Sequence, residues 1–308
     1  MRDHLDLKQR ALRMTIVAVS EAGSTRLGRT IPLAPPLRWL GNHLVPWAAR
    51  TAFHDGVHQV NGIRMEIPRP PDWGGGGEFH MALGTYERRE LACVLGRLQP
   101  GDTFIDAGAH IGYFSLPAAR RVGPTGRVVA LEPSPASVEL LRGNVALNGF
   151  DWVTVVAAAA AGEDGEARLQ LSDHSAMWNT LRDDTVEGGR SIPVAARSLD
   201  SLLGQLGWPA VGGIKLDVEG AESEVLRGGE QVLARNPGAF VTIEVAGGSE
   251  ERIAASLETL GWLEERGYRF RRIGRGGAGP AGQAAALVSL LRRPTWQESL
   301  FNLVVERS

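Results

Sequence analysis

The segment Gly101-Asp-Thr-Phe-Ile-Asp-Ala-Gly-Ala-His-Ile-Gly-Tyr-Phe-Ser115 reads as a strand, a glycine turn and the start of a helix. Gly108 and Gly112 would let a ligand approach the backbone, and a helix N-terminus offers free amide donors. Taken alone, this predicts a nucleotide-like ligand and no more. Asp106 narrows the choice. A dinucleotide site has Gly-x-Gly-x-x-Gly, lays a pyrophosphate over the turn and keeps its acid for later in the chain. Here the glycine spacing differs, and a carboxylate at the strand end would repel a pyrophosphate. S-adenosylmethionine (SAM) has an ammonium, a sulfonium and no phosphate, so it suits an acid placed before the glycine turn. One βα unit later, Arg127 to Leu131 ends in Glu132-Pro133-Ser134. A carboxylate at that strand end can accept both ribose hydroxyls, with Pro133 and Ser134 on the adenine side. The plainer alternative makes Asp106 a helix cap and Glu132 a solvated strand-end acid.

Methyl transfer is an in-line displacement, so the protein must chiefly hold the acceptor's lone pair on the S–C axis. A base near the acceptor would add about 10²–10⁴-fold. Asp217 is the first candidate for that base, because it ends the strand expected beside the glycine-turn strand; Glu219 and Glu222 follow closely. Their structural alternatives are a helix cap for Asp217 and a first-turn acid for Glu222. Asp217 and Glu244 are too few to hold a divalent metal, and no Cys or His cluster has zinc spacing, so no metal is expected. The polar insert from Ser172 to Gly189 carries Asp173, His174 and Trp178, with Asp183, Asp184 and Glu187 outnumbering Arg182. It is expected to meet the substrate and suits a cationic or hydroxyl-rich acceptor; the alternative is a solvated loop anchored by Trp178. Trp73 has the same two readings.

Elements must position these groups. Short apolar runs alternate with amphipathic helices from Tyr86 onward, the mark of βα units on a mostly parallel sheet. Strands are predicted at Thr103 to Asp106, Arg127 to Leu131, Val153 to Ala157, Gly213 to Leu216 and Ala239 to Glu244. Two more follow at Tyr268 to Ile273 and Phe301 to Glu306. A helix from Ser137 to Leu147 should stop at Asn148-Gly149, another should cover Glu251 to Arg266, and Gly274 to Gly282 reads as a mobile loop. Ahead of this lie helix-like stretches at Leu5 to Val19 and Leu37 to Phe53, a hairpin at Val57 to Ile67 turning on Asn61-Gly62, and a Pro- and Gly-rich connector from Pro68 to Gly77. We divide the chain into an N-terminal helical and hairpin extension, residues 1–80, and a catalytic domain, residues 81–308.

Composition excludes several classes. Lys plus Arg is 33 against 35 for Asp plus Glu, a net charge of −2, so no global cationic field exists for nucleic acid. Hydrophobic residues at 43% and charged residues at 22% are those of a folding chain rather than a disordered one. No apolar run reaches the ~18 residues that cross a bilayer, and the acidic and basic N-terminus fits a signal peptide poorly, so a cytoplasmic location is expected. Cys93 is the only cysteine, which precludes an intrachain disulfide. Lys8 and Lys215 are the only lysines.

The sequence resembles the FkbM-like family of class I SAM-dependent methyltransferases. The resemblance rests on Gly84-Thr-Tyr-Glu87, Pro100 to Gly112, Glu132-Pro133, Asn144 to Gly149, Ile214-Lys-Leu-Asp-Val-Glu-Gly-Ala-Glu222 and Phe301-Asn-Leu-Val, and covers residues 80 to 306. It implies an α/β fold with a seven-stranded Rossmann-like sheet, SAM as cofactor, and contacts to it from Tyr86, Glu87, Asp106, Ala107, Gly108, His110, Tyr113, Glu132, Pro133 and Ser134. It implies a small-molecule acceptor, such as a natural-product or sugar hydroxyl. O-methylation comes first and N-methylation of an amino sugar second; an NAD-dependent oxidoreductase or a non-catalytic SAM-binding protein are the readings from other classes. His110 stands where the family pattern has Asn, and Ala158 to Ala161 where it has a more polar adenine-side segment.

Overall fold

The computed structural model describes residues 56–68, 77–171, 190–218, 220–274, 277–293 and 299–307, apart from the side chain of Phe79. Both N-terminal helix-like stretches, residues 69–76 of the connector with Trp73, and the insert at 172–189 lie outside the described residues. The chain divides into two compact units, Met1–Arg88 and Arg89–Ser308.

In the first unit, β1 (Gly56–Val60) and β2 (Ile63–Ile67) pair antiparallel. The turn between them places Asn61 at φ 51° and Gly62 at φ 79°, the positive values an Asn-Gly hairpin turn requires. Ile63, Met65 and Ile67 alternate inward. Helix α1 (Gly77–Ala82) follows. Thr85 and Tyr86 then donate backbone bonds to the His80 carbonyl, and Glu87 takes φ 36°. α2 (Arg88–Arg97) leads on into the second unit.

The second unit is built around one eight-stranded sheet. In chain order its parts are β3 (Thr103–Ala107), α3 (Ser115–Val122), β4 (Arg127–Leu131), α4 (Pro135–Asn148), β5 (Val153–Val156), β6 (Ala159–Ala160), β7 (Gly165–Leu171), β8 (Arg190–Arg197), α5 (Leu199–Gln205) and β9 (Val211–Leu216). They continue with α6 (Glu222–Arg227), α7 (Glu230–Arg235), β10 (Phe240–Val245), α8 (Glu250–Glu265), β11 (Tyr268–Gly274), β12 (Gly277–Ala278), a 3-10 turn, α9 (Val288–Leu291) and β13 (Phe301–Arg307). The sheet order is β12-β11-β13-β10-β9-β3-β4-β5. β10, β9, β3, β4 and β5 run parallel, and β13 lies antiparallel between β10 and β11. The seven predicted strands are present in a Rossmann-like α/β arrangement, with the two-residue β12 added at the edge.

Period-two alternation sorts the central strands into two faces. Ile105, Ala107, Val129, Leu131, Ile214, Leu216, Val241 and Ile243 point to one face and join Leu199, Leu203, Val225, Leu233, Leu260 and Leu263 of α5 to α8 in one core. Asp106, Ala130, Lys215 and Thr242 occupy matching register positions on the other face. On that face α3 follows β3, and α4 runs from Pro135 to a left-handed Gly149 at φ 65°, the predicted stop.

Two segments differ from the sequence reading. Of Gly274 to Gly282, read as a mobile loop, the described residues are tied to the sheet edge: Ile273 pairs with Ala278, and Phe270 and Gly282 exchange backbone bonds of 3.1 and 2.9 Å. Within Ala158 to Ala161, Ala159 and Ala160 form a two-residue strand. β6, β8 and β7 form a small second sheet, and Ala159 packs with Leu169 and Val194 in its core.

Candidate functional site

The carboxyl ends of β3, β4 and β9 converge on the glycine turn. Gly108 and Ala109 donate to the Leu131 carbonyl at 3.0 and 2.9 Å, and the Asp217 amide donates to Ala107 at 3.0 Å. These bonds lace the three strand ends together. The glycines serve that lacing. A methyl group on Gly108, at φ +85°, would lie 1.9 Å from the Asp217 carbonyl oxygen, and one on Gly112, at φ +96°, would lie 2.8 Å from Leu141 of α4. The sequence reading has both glycines admit a ligand; in the structure they admit the chain itself. Asn144 of α4 adds a bond to the Ile111 carbonyl at 3.0 Å, which accounts for its place in the motif.

Asp106 is fully buried. Its Oδ2 accepts the Ser115 hydroxyl at 2.5 Å, while Oδ1, also buried, has no hydrogen-bond partner among the described residues. Burial raises its pKa, opposed by the Lys215 ammonium and the Ser115 hydroxyl. An orphaned buried carboxyl oxygen is costly and marks a place where a donor or cation belongs.

Glu132 is buried as well and takes one amide on each oxygen: Ser134 on Oε1 and His110 on Oε2, both at 2.8 Å. Burial pushes it up to about 7, against the pull of those two amides. Each oxygen keeps a lone pair, the number two ribose hydroxyls require. His110 reaches this bond because its backbone is left-handed, φ 49°, a region in which Asn, Asp and His are enriched; the substitution of His for the family's Asn preserves the turn. Ser134 is the buried N-cap of α4 and Pro133 is half-buried. Tyr113 is buried and stands edge-on to Phe114, 5.8 Å between ring centroids.

Asp217 does not cap a helix. α6 begins at Glu222, with Ala221 at its N-cap. Its Oδ2 instead accepts from Lys215 at 2.8 Å, with the side chain 28% exposed against 3% for the lysine. Lys215 also lies over the Phe114 ring, 4.6 Å from its centroid. Glu222 is a first-turn acid, the plainer of its two readings, and also accepts the Gly220 amide at 3.2 Å; burial raises it to about 7. Sequence reasoning missed Lys215 and Ser115. The signal for the lysine was its rarity and its place two residues before Asp217.

Asp106, Ala107, Gly108, His110, Glu132, Ser134 and Asp217 are thus gathered by these bonds. Tyr86 and Glu87 belong to the first unit, and Asp173, His174, Trp178 and Glu219 lie outside the described residues. Among the described residues, no group of three His, Cys, Asp or Glu is placed to hold a metal ion.

Comparison with known proteins gives this site its setting. "Methyltransferase sdnD" of Sordaria araneosa is 28% identical over 206 residues, 56% of this chain and 76% of that protein. "Methyltransferase 1" of Beauveria bassiana is 29% identical over 148 residues, 42% of this chain and 59% of that protein, so the chain spans less than two thirds of the latter's length. Among solved structures, methyltransferase FkbM from Methylobacillus flagellatus KT shares 17% identity with a TM-score of 0.43, covering 68% of this chain and 44% of that one. Residues 106–270, running from the buried Asp106 into β11, match the methyltransferase FkbM domain, and the chain belongs to that family.

Proposed function

We propose that the protein transfers a methyl group from SAM to a small-molecule acceptor, a hydroxyl or an amine of a sugar-containing natural product. The observation that carries this is the pairing of two buried acids with distinct unmet needs. Asp106 has an oxygen without a hydrogen-bond partner among the described residues, fit for the cationic end of the donor, and Glu132 has two oxygens oriented by amides, fit for a ribose diol. A pyrophosphate in the same place would meet Asp106 directly.

SAM, when bound, supplies an electrophilic methyl. The chain's own work is then positioning. Asp106 and Glu132 fix the donor from two strand ends, and Asp217, partly exposed at a third, takes the acceptor's proton or orients its lone pair. O-methylation is the first reading and N-methylation of an amino sugar the second; the acidic insert at 172–189 supports either acceptor. The near balance of 35 acids against 33 bases, with no global cationic field, supports a small acceptor rather than a nucleic acid.

Thermal shift tests the donor. SAM and its demethylated product should stabilise the fold by RT ln(1 + [L]/Kd), about 2.7 kcal/mol at a hundred times Kd, and NAD should not. Asp106→Asn should lower SAM affinity about tenfold or more, and lower it less for an analogue without the amino group. Stabilisation by NAD in place of SAM would overturn the reading.

A further inference from the structure

We propose that Lys215 sets how strongly the site prefers the donor over its product, which lacks the sulfonium charge, by neutralising Asp217 at the border of the glycine turn. The inference rests on SAM as the donor and asks what happens after transfer, when the sulfonium has become a neutral thioether. A site that holds a cation through uncompensated acids binds the donor tightly. It must still exchange donor for product over many turnovers.

The geometry places a charge pair where it bears on that difference. Asp217 follows the last residue of β9, donates its amide to Ala107, and brings its carbonyl so close to Gly108 that no side chain fits there. Its carboxylate is therefore carried on the same stretch of backbone that closes the turn. Lys215 stands two residues earlier on the same face, opposite Asp106 in the β3–β9 register. Its ammonium reaches Asp217 Oδ2 at 2.8 Å, and the Phe114 ring covers it. The ammonium is taken up by Asp217 and by the Phe114 ring, whereas the Asp217 side chain is 28% exposed against 3% for the lysine. It acts through the carboxylate it pairs, as a positioning and charge-setting residue rather than a catalytic one.

Removing one partner at a time should move the donor/product preference in opposite directions. An unbalanced unit charge near a bound cation, in a partly wet site, changes the affinity for that cation by about tenfold. Lys215→Met leaves Asp217 unbalanced and should raise the ratio Kd(product)/Kd(SAM) about tenfold. Asp217→Asn leaves the ammonium unbalanced and should lower that ratio by a similar factor. The double variant should return to within about threefold of wild type. Isothermal titration of each variant with SAM and with S-adenosylhomocysteine measures this without an acceptor. Lys215→Gln and Asp217→Ser serve if a first-choice variant does not fold, each with the shift expected of the variant it replaces. Opposite shifts that cancel in the double variant support the proposal; a merely structural pair would weaken both ligands together. Ratios unmoved in the single variants, or moved in the same direction, overturn it. Wild-type protein that binds neither ligand overturns the donor reading itself, a result distinct from binding with an unmoved ratio.

Discussion

Glu132 combines two demands that pull against each other. Burial favours its neutral form, bringing it up to about 7, while the amides of Ser134 and His110 favour the carboxylate. Ribose hydroxyls bind as donors, so they add to the second side. SAM affinity should therefore strengthen as pH rises, by approaching tenfold per unit below 7, and level off above it. In Glu132→Gln the pH dependence from this group should vanish. Affinity at pH 8 should fall about ten- to a hundredfold, the worth of a bond to a charged acceptor. Calorimetric titration between pH 5.5 and 8.5 checks both. A wild-type curve flat over that range would remove Glu132 from the ribose. The two donor-side acids were legible in the sequence because a carboxylate that ends an apolar run just before a turn is costly to place there without a ligand or a cap to meet it. The spacing of Lys215 to Asp217 was there to be read, but the lysine's burial opposite Asp106 and under Phe114 was not, since these depend on the register of β9 against β3 and on the packing of Phe114.

At the scale of elements, the glycines separate by what surrounds them. Gly108→Ala puts a methyl against the Asp217 carbonyl at a positive φ, so it should destabilise the fold by several kcal/mol or displace β9 from β3. Gly143, exposed within α4, has no positive φ, and a methyl added there would meet nothing within 4 Å; Gly143→Ala should stabilise by about 0.5–1 kcal/mol. Urea denaturation of the two variants provides the comparison, and a tolerated Gly108→Ala would contradict the close approach. The main strands could be read from the sequence because both faces of a central parallel strand are covered, which makes each a continuous apolar run. The small sheet escaped notice. β8 carries Pro193, which normally argues against a strand, yet β6 pairs with β8 only at Ala196 and Arg197, so the proline sits where one side of β8 has no ladder to break. The closing Phe301-Asn-Leu-Val run has a structural explanation too: Asn302 of β13 donates to the buried Glu90 of α2. That bond joins residues far apart in sequence, and the motif alone does not disclose it.

For the whole molecule, the buried acids make stability depend on pH in an unusual direction. Asp106, Glu132 and Glu222 all have their pKa raised, chiefly by burial. A carboxyl with a raised pKa binds its proton better in the folded state than in the unfolded one. Its contribution is complete below the unfolded value near 4 and is lost as pH climbs through the folded value. Each such group gives a slope approaching about 1.4 kcal/mol per pH unit between those limits. His80 opposes this, since burial lowers its pKa and its contribution is lost as pH falls below the ordinary value of 6.5. Asp164, held low by the Ser201 hydroxyl and the Ser198 amide, acts only in more acid solution. With three acids against one imidazole, the ligand-free protein should lose stability from pH 5 to pH 7. On the proposed function the donor binds ionised Asp106 and Glu132, so the same rise in pH should enlarge the stabilisation that SAM confers. Melting curves recorded across this range with and without saturating SAM should accordingly diverge, the ligand-free Tm falling while the SAM-induced increment grows. Glu222→Gln should flatten the ligand-free curve and leave the growth of the increment intact, whereas Glu132→Gln should diminish both. Parallel curves at all pH values would show that the buried acids of the site are not the groups the donor engages.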